Sequence, residues 1–562
     1  IKKGIFTNCK PNDNCPTWSL ESEEIVHDKL KKTINYKNAT LRILDKPVFY
    51  FPKFFHPDPS VDRQSGFLMP SIISSSSSGS SIMIPYYYMI ANNKDMTIQP
   101  RFYFNDDILL QSEFRQVEKN IDHISDISVK KSEQNSKTHF FSNTKITTES
   151  EKFDSSSLEI NLEKTSNDTY LKSEKLTNSI QDNDSLLNSY IKYEAFSDDL
   201  ELLVETQAYE DLTKKKNSDK YQFILPSFTV SKFIYTDLRL LENLTLSSKG
   251  SIQKRDTNIT ENSLINDVQF SSDKFFLTKN LLSNFEINYK NSFKKGTNSA
   301  TYQNNFKNEN FLKFFYNTSY PLKKIGNTTN SSLIPKLSLS YSPFKSENIS
   351  NLDRNIEVDN IFSNNRLGLS DSLEGGQSLT FGLDYELFKA DNSRNILETS
   401  IAQVYRDTND SNLPITSKMR NKSSDVVGEV NFSPLENFGI NYTFSADNNL
   451  DTINYNFLNT EISVNNFVTS FEFLEENNEI GSDSYFSKMI KYKFNNSNNI
   501  SFNSRRNRKT NLTEFYNLIY EYENDCLVAA IEYNKDYYED RDIKPNEEIF
   551  FSLTITPFAS IS

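Results

Sequence analysis

Leu379-Thr380-Phe381-Gly382-Leu383-Asp384-Tyr385-Glu386-Leu387 places a large apolar side chain at every odd position and a small, polar or acidic one at every even position. A period of two belongs to an extended chain with one apolar and one polar face. The pattern recurs. Phe438, Ile440, Tyr442 and Phe444 oppose Gly439, Asn441, Thr443 and Ser445. Tyr516, Leu518, Tyr520 and Tyr522 interleave with Asn517, Ile519 and Glu521. A turn is predicted at Asn524-Asp525, followed by a strand carrying Leu527, Ala529, Ile531 and Tyr533 on one face. A last strand over 549–558 carries Phe551, Leu553, Ile555 and Phe558.

A soluble β-sandwich alternates in the same way. Three features favour a transmembrane barrel: the length of the strand run, charged residues opposite aromatic ones, and an aromatic final strand. In lipid every backbone polar group must find an internal partner, which a closed antiparallel sheet provides. Some 500 residues at ~20 per strand and connection give about 24–26 strands. Composition agrees: 43 Phe and 29 Tyr stand in a chain that is only 36% hydrophobic and carries a net charge of −13. No stretch reaches the ~18–20 consecutive apolar residues of a membrane-spanning helix. Lys and Arg are scattered rather than gathered in a stripe, so nucleic acid is not an expected partner.

Towards the front the alternation comes in short pieces: Trp18-Ser19-Leu20, Ile34-Asn35-Tyr36 and Leu41-Arg42-Ile43. Pro47 through Pro59 reads as a linker. The expected division is a first unit over 1–52 and a barrel over 53–562. The opening Ile1-Lys2-Lys3-Gly4 has neither Met nor an apolar leader segment, and reads as a chain missing its natural start. Ser74–Ser81 reads as a flexible hairpin connection, and 115–220 as strands separated by long polar loops. Three cysteines, Cys9, Cys15 and Cys526, allow three free thiols, a local Cys9–Cys15 bridge, or a long-range bridge to Cys526. His27, His56, His123 and His139 fall in no catalytic or metal-binding motif, and no phosphate-binding loop is present, so neither enzymatic activity nor a cofactor is expected.

Between residues 63 and 115 the order of residues becomes specific. Arg63-Gln64-Ser65-Gly66-Phe67-Leu68-Met69-Pro70 is followed by Ile84-Pro85-Tyr86-Tyr87-Tyr88, Asn92-Asn93-Lys94-Asp95-Met96-Thr97, Pro100 and Glu113-Phe114-Arg115. This series resembles the start of the barrel in the LPS-assembly proteins of the LptD family. Gly4 through Cys9, Trp18 and Glu24 through Asp28 resemble the end of that family's periplasmic β-jellyroll, and Pro47 through Pro52 its junction with the barrel. Asn360-Ile361-Phe362-Ser363, Asn365-Arg366 and Glu374-Gly375-Gly376 resemble a mid-barrel segment, and Tyr522 with Asp525-Cys526 the cysteine-bearing strand. Where many members carry two adjacent late cysteines, this chain has only Cys526.

The resemblance implies an outer-membrane translocon that receives lipopolysaccharide from a periplasmic LptA-type bridge and places it in the outer leaflet. An LptE-type lipoprotein would plug the lumen. Hydrated sugars suit a polar lumen, whereas acyl chains must leave sideways into outer-membrane lipid through a seam. Pro70 and Pro85 lie in the first two strands and lack the N–H a ladder needs. They are the expected lateral gate, against strand 549–558. The resemblance also implies a Cys9–Cys526 disulfide holding the periplasmic part over the barrel mouth, which an oxidising periplasm permits. Asp95, Asp384 and Glu386 are expected to face the lumen and to meet the substrate's phosphates through divalent cations. A porin-like channel for small solutes is the alternative.

Overall fold

The computed structural model describes residues 1–562 apart from 8, 10–15, 59, 60, 62, 133–135, 182, 237–242, 392, 478–482 and 556–562. Cys15 and Phe558 therefore lie outside the described residues. The chain forms a closed antiparallel barrel of 26 strands and, before it, a separate four-stranded sheet. Among the described residues, no helix is long and apolar enough to cross a membrane.

The separate sheet contains β1 (Lys2–Phe6), β2 (Trp18–Asp28), β3 (Thr33–Ile43) and β4 (Lys46–Pro57), paired in that order. The Pro-punctuated stretch expected to be a linker lies in β4, a strand, as far as Pro57; Pro59 lies outside the described residues. β4 is the outer strand of this sheet, so backbone on its far side has no ladder to complete and proline is tolerated there. The sheet thus runs on to Pro57, past position 52. The short β-like pieces at the front merge into β2 and β3, each 11 residues long.

In the barrel the alternation decides which face meets lipid. Along Gly376–Lys389, Leu379 and Phe381 are 37% and 55% exposed on the outer surface, while Thr380 and Gly382 point inward. The segment 115–220 holds strands Ile121–Lys131, Ser136–Thr148, Ser155–Thr165, Leu186–Ser197 and Leu200–Asp211. Two-residue turns such as Asn92-Asn93, Asp198-Asp199 and Asn465-Asn466 close the end of the barrel nearest the sheet. The long connections, 166–185, 343–375 and 407–425, all lie at the opposite end. Outer-membrane barrels have this asymmetry, with short periplasmic turns and longer outer loops.

The long connections fold back on the wall. Ile349, Ile356, Ile361, Leu367, Leu369, Leu413 and Met419 bury against Ala402, Val404 and Val427. Tyr170, Leu171 and Leu176 bury against Tyr103, Leu109, Phe141, Leu187 and Leu212. The family-like segment from Asn360 to Gly375 lies in the inserted loop 343–375, and Gly376 begins the strand that follows it. Its anchor is electrostatic: Glu374, in the loop, receives Arg366 and Arg406, and Lys313 lies 3.7 Å away. Gly375 is required by close packing, because a Cβ there would stand 2.4 Å from Ser346 N.

Candidate functional site

The seam between the first and last strands differs from the other wall interfaces. The first strand is broken into Gly66–Phe67 and Ser71–Ser75, and the second into Ser81–Met83 and Tyr86–Ala91. Pro70 and Pro85 sit at the two breaks. Below Pro70 the chain turns from the last strand towards the second: Gly66 and Phe67 pair with Tyr87 and Tyr86, and the Leu68 amide donates to the Pro85 carbonyl at 2.9 Å. The last strand, Asn546–Ile555, pairs with the first only from Glu548↔Ser75 to Phe551↔Ile72. On its other side it pairs along its whole length, from Asp536↔Asn546 to Leu527↔Ile555. Among the described residues, the half of the seam nearer the sheet has no ladder.

The other half is closely tied. The Ser76 amide donates to the Glu547 carbonyl at 2.9 Å, and the Glu547 amide to Ser76 Oγ at 2.9 Å. Asn546 Oδ1 accepts from Ser75 Oγ, Ser76 Oγ and the Ser77 amide, each at 3.0 Å. The serine run expected to be merely a flexible connection clamps one end of the seam.

At the opposite end, a disulfide joins Cys9 to Cys526, with Cα atoms 5.0 Å apart. Asn524 makes the turn that presents Cys526: its Oδ1 accepts from the Cys526 and Leu527 amides at 3.1 and 2.9 Å, while its Nδ2 donates to Thr17 Oγ1. Trp18, Leu20, Tyr36 and Leu41 of the sheet bury with Cys526, Leu527 and Ile555 of the barrel. The foot of the last strand thus packs against the sheet. Inside the sheet, Tyr36 Oη and His56 Nε2 are 2.7 Å apart, and His56 Nδ1 lies 2.7 Å from the Pro57 carbonyl. Burial pushes the His56 pKa down, partly offset by that carbonyl and by Asp58.

The three acidic positions differ in setting. Asp95 is 2% exposed, receives Arg63 at 2.7 Å and Arg115 at 2.9 Å, and accepts from Tyr87 Oη at 3.2 Å. Its charge is neutralised by these partners, and it fastens the second, third and fourth strands and Arg63 together beside the broken stretch. Asp384 shares the inward face of its strand with Thr380 and pairs with Lys336. Glu386 lies on the same face, in register with Glu398 of the next strand. Among the described residues, no group of three or more His, Cys, Asp or Glu side chains is arranged to hold a metal ion.

The far half of the lumen is lined by amides and carboxylates: Asn431 and Asn441 with Glu429, Asn499 with Glu521, and Asn517 with Glu532 and Asn534. A hollow of about 1200 Å³ opens over Glu472, Asn503, Asn517 and Asn534. Such a wall presents paired donors and acceptors to hydroxyl groups.

One constellation escaped the sequence reading because its members lie on neighbouring strands. Ser128 Oγ is 2.6 Å from His139 Nδ1, and His139 Nε2 is 2.5 Å from Asp126 Oδ1. All three are at most 1% exposed, and Tyr170 Oη covers Ser128 Oγ at 2.8 Å. A nucleophile needs a path to its substrate. Here the three side chains instead anchor the loop carrying Tyr170.

Barrel, interior loops and covalently attached sheet together define an outer-membrane β-barrel protein with a docked domain. The family profile of LptD, described as LPS transport system D, matches residues 137–506, well over half of the chain. The chain belongs to the LptD family. It is 38% identical over 122 residues to the LPS-assembly protein LptD of Pseudomonas putida (strain W619), which is 21% of this chain and 12% of that protein. It is 38% identical over 115 residues to the LPS-assembly protein LptD of Yersinia pestis bv. Antiqua (strain Antiqua), which is 20% of this chain and 14% of that protein. The chain thus aligns with only a small part of either relative. Among solved structures, the alcaligin outer membrane receptor FauA from Bordetella pertussis covers 95% of this chain and 84% of its own, with TM-score 0.30 and 8% identity.

Proposed function

We propose that this chain inserts lipopolysaccharide into the outer leaflet, with sugars passing through the lumen and lipid A leaving through the seam between Ser71–Ser75 and Asn546–Ile555. The carrying observation is that the ladder there stops at Ile72–Phe551, above Pro70. The problem is a molecule with two solvents. The amide and carboxylate wall suits hydrated sugars, whereas acyl chains must be kept from it. A wall that parts sideways delivers them directly to lipid. The sheet over 1–57 is the end of a periplasmic domain, and the Cys9–Cys526 bond holds it at the barrel mouth, under the unladdered part of the seam. Substrate would arrive from an LptA-type bridge through the rest of that domain, and an LptE-type lipoprotein would fill the open half of the lumen. Glu386, and Asp384 where it can exchange its Lys336 partner, are the acidic positions to meet substrate phosphates through divalent cations.

The test is to lock the seam. Ser74 and Ile549 are paired across it on the outer face, so Ser74→Cys with Ile549→Cys supports an oxidised bridge. Surface lipopolysaccharide is expected to fall when the bridge is oxidised and recover on reduction, with total lipopolysaccharide constant. Unchanged surface lipopolysaccharide in the locked barrel, with altered uptake of small solutes, favours a channel instead.

A further inference from the structure

The lumenal side of the seam is crossed by a loop that belongs to neither of its strands. Residues 166–185 leave the strand Ser155–Thr165 and form one short helical turn, Tyr170–Glu174. Their approach is rigid: Tyr170 and Leu171 are at most 2% exposed within the apolar cluster against the wall. Glu174 completes this anchorage. Its carboxylate accepts from Tyr103 Oη at 2.5 Å and pairs with Lys130 at 2.8 Å, and its carbonyl accepts from Arg101 at 2.9 Å. These partners sit on strands Lys94–Tyr103 and Ile121–Lys131, on the first-strand side of the seam.

The next residue points the other way. Lys175 adopts a left-handed conformation with φ 48°, which turns the chain and separates its side chain from that of Glu174. Lys175 Nζ pairs with Glu548 of the last strand. Glu548 is the residue opposite Ser75, at the top of the short seam ladder. Two consecutive residues therefore hold opposite sides of the seam.

A second crossing runs in parallel. The hairpin before the last strand reaches over with Arg541, which donates to the Leu212 carbonyl at 2.7 Å and pairs with Asp168 at 3.2 Å. Asp542 of that hairpin pairs with Lys137 at 3.3 Å, and Lys172 stands 5.1 Å from the Tyr538 ring centroid. Asp168 and Lys172 lie on the same loop as Lys175.

We infer that the segment 166–176 of this loop is a strap closing the outer half of the seam, with Glu174 as its fixed end and the Lys175–Glu548 pair as its releasable end. The asymmetry supports the assignment. The fixed end is a buried carboxylate in an apolar cluster. The releasable end is polar and partly exposed: the Lys175–Glu548 pair, 50% and 11% exposed, beside the Asp168–Arg541 pair, 33% and 34% exposed, contacts that water and salt weaken more than a buried anchor. The seam then parts from the Pro70 end upward, and full opening waits on release of Lys175 together with the parallel Asp168–Arg541 crossing. The inference rests on the seam being the exit, but the strap can be tested without transport.

The experiment is amide hydrogen exchange across Ile72–Ser75 and Glu548–Phe551 in the full chain in lipid nanodiscs. Lys175→Glu and Glu548→Lys, each making a like-charge contact, are expected to accelerate exchange about three- to tenfold. The exchanged pair Lys175→Glu with Glu548→Lys is expected to return it towards the original rate. Lys175→Ala, which tests loss of the pair without repulsion, should give a smaller acceleration that high salt reproduces in the unaltered protein. Exchange unchanged in the single variants, or failure of the exchanged pair to recover, overturns the strap. If the single variants loosen the seam while the Ser74→Cys, Ile549→Cys lock leaves surface lipopolysaccharide unchanged, the strap stands and the seam-exit reading falls.

Discussion

Replacing Pro70 with alanine should zip the seam towards its open end. The Ser76 amide donates to the Glu547 carbonyl, so Ser76 and Glu547 form a hydrogen-bonded pair of the antiparallel ladder. Such pairs recur at every second residue. The register Glu548↔Ser75 to Phe551↔Ile72 therefore makes Ser74–Ile549 and Ile72–Phe551 hydrogen-bonded pairs, and would make Pro70–Leu553 the next. Proline stands at a position that should donate, and the Leu553 amide faces the seam. In Pro70→Ala, the residue 70 amide and the Leu553 amide each gain a partner. At roughly 0.5–1.5 kcal/mol net per bond, two bonds are worth about 1–3 kcal/mol. That shifts the opening equilibrium by roughly five- to a hundredfold or more. The assay is hydrogen exchange at Leu553 in nanodiscs beside surface lipopolysaccharide in cells: slower exchange and slower export are expected together. Exchange at Leu553 unchanged in Pro70→Ala refutes the claim that proline interrupts this ladder. Slowed exchange with normal export separates the ladder from transport.

Pro85→Ala should act more weakly on the seam, because Pro85 reaches it only through the Leu68 amide; the ratio of its Leu553 exchange to that of Pro70→Ala measures this. Cys9→Ser should leave the barrel folded but loosen the sheet, since Trp18, Leu20 and Leu41 still bury against Leu527 and Ile555; crosslinking between sheet and barrel reports it. The sheet should also respond to acid. Burial lowers the His56 pKa below its ordinary value of 6.5, so the unfolded sheet binds the proton more readily. That contribution to stability is intact above pH 6.5 and declines as pH falls through 6.5 towards the folded value, measurable as pH-dependent exchange at Tyr36, with His56→Gln flattening the profile. Glu374→Gln should release the loop 343–375 to protease, because it strands Arg366 and Arg406 in the interior at a cost of about 3–5 kcal/mol. Although burial opposes ionisation, Arg366, Lys313 and Arg406 draw the Glu374 pKa down to about 2 from 4.5. Its contribution is therefore present above pH 4.5 and lost as pH falls towards 2.

The barrel was legible because a lipid-facing strand must repeat every second residue, and Leu379, Phe381, Tyr520 and Ile531 do so openly. The disulfide, and the expectation of a gate at Pro70 and Pro85, came through resemblance, since spacing alone left the pairing of Cys9 open and gave no register for Pro70. Three parts stayed hidden for separate physical reasons. Prolines at 47, 52 and 57 suggest a linker until one knows that their strand lies on the outside of its sheet, a property of the assembled sheet rather than of the strand. Asp95 looked like a free lumenal ligand because its neutralising partners, Arg63 and Arg115, are distant in sequence. The loop around Tyr170 carries no periodicity, as its burial is decided by side chains such as Tyr103, Leu109, Phe141 and Leu187 on separate strands of the wall. Local pattern reports only what a residue's own strand demands. The strap depends on two adjacent side chains, Glu174 and Lys175, being claimed by walls that meet only when the barrel closes, so its function could be read only after closure placed Glu548 beside Ser75.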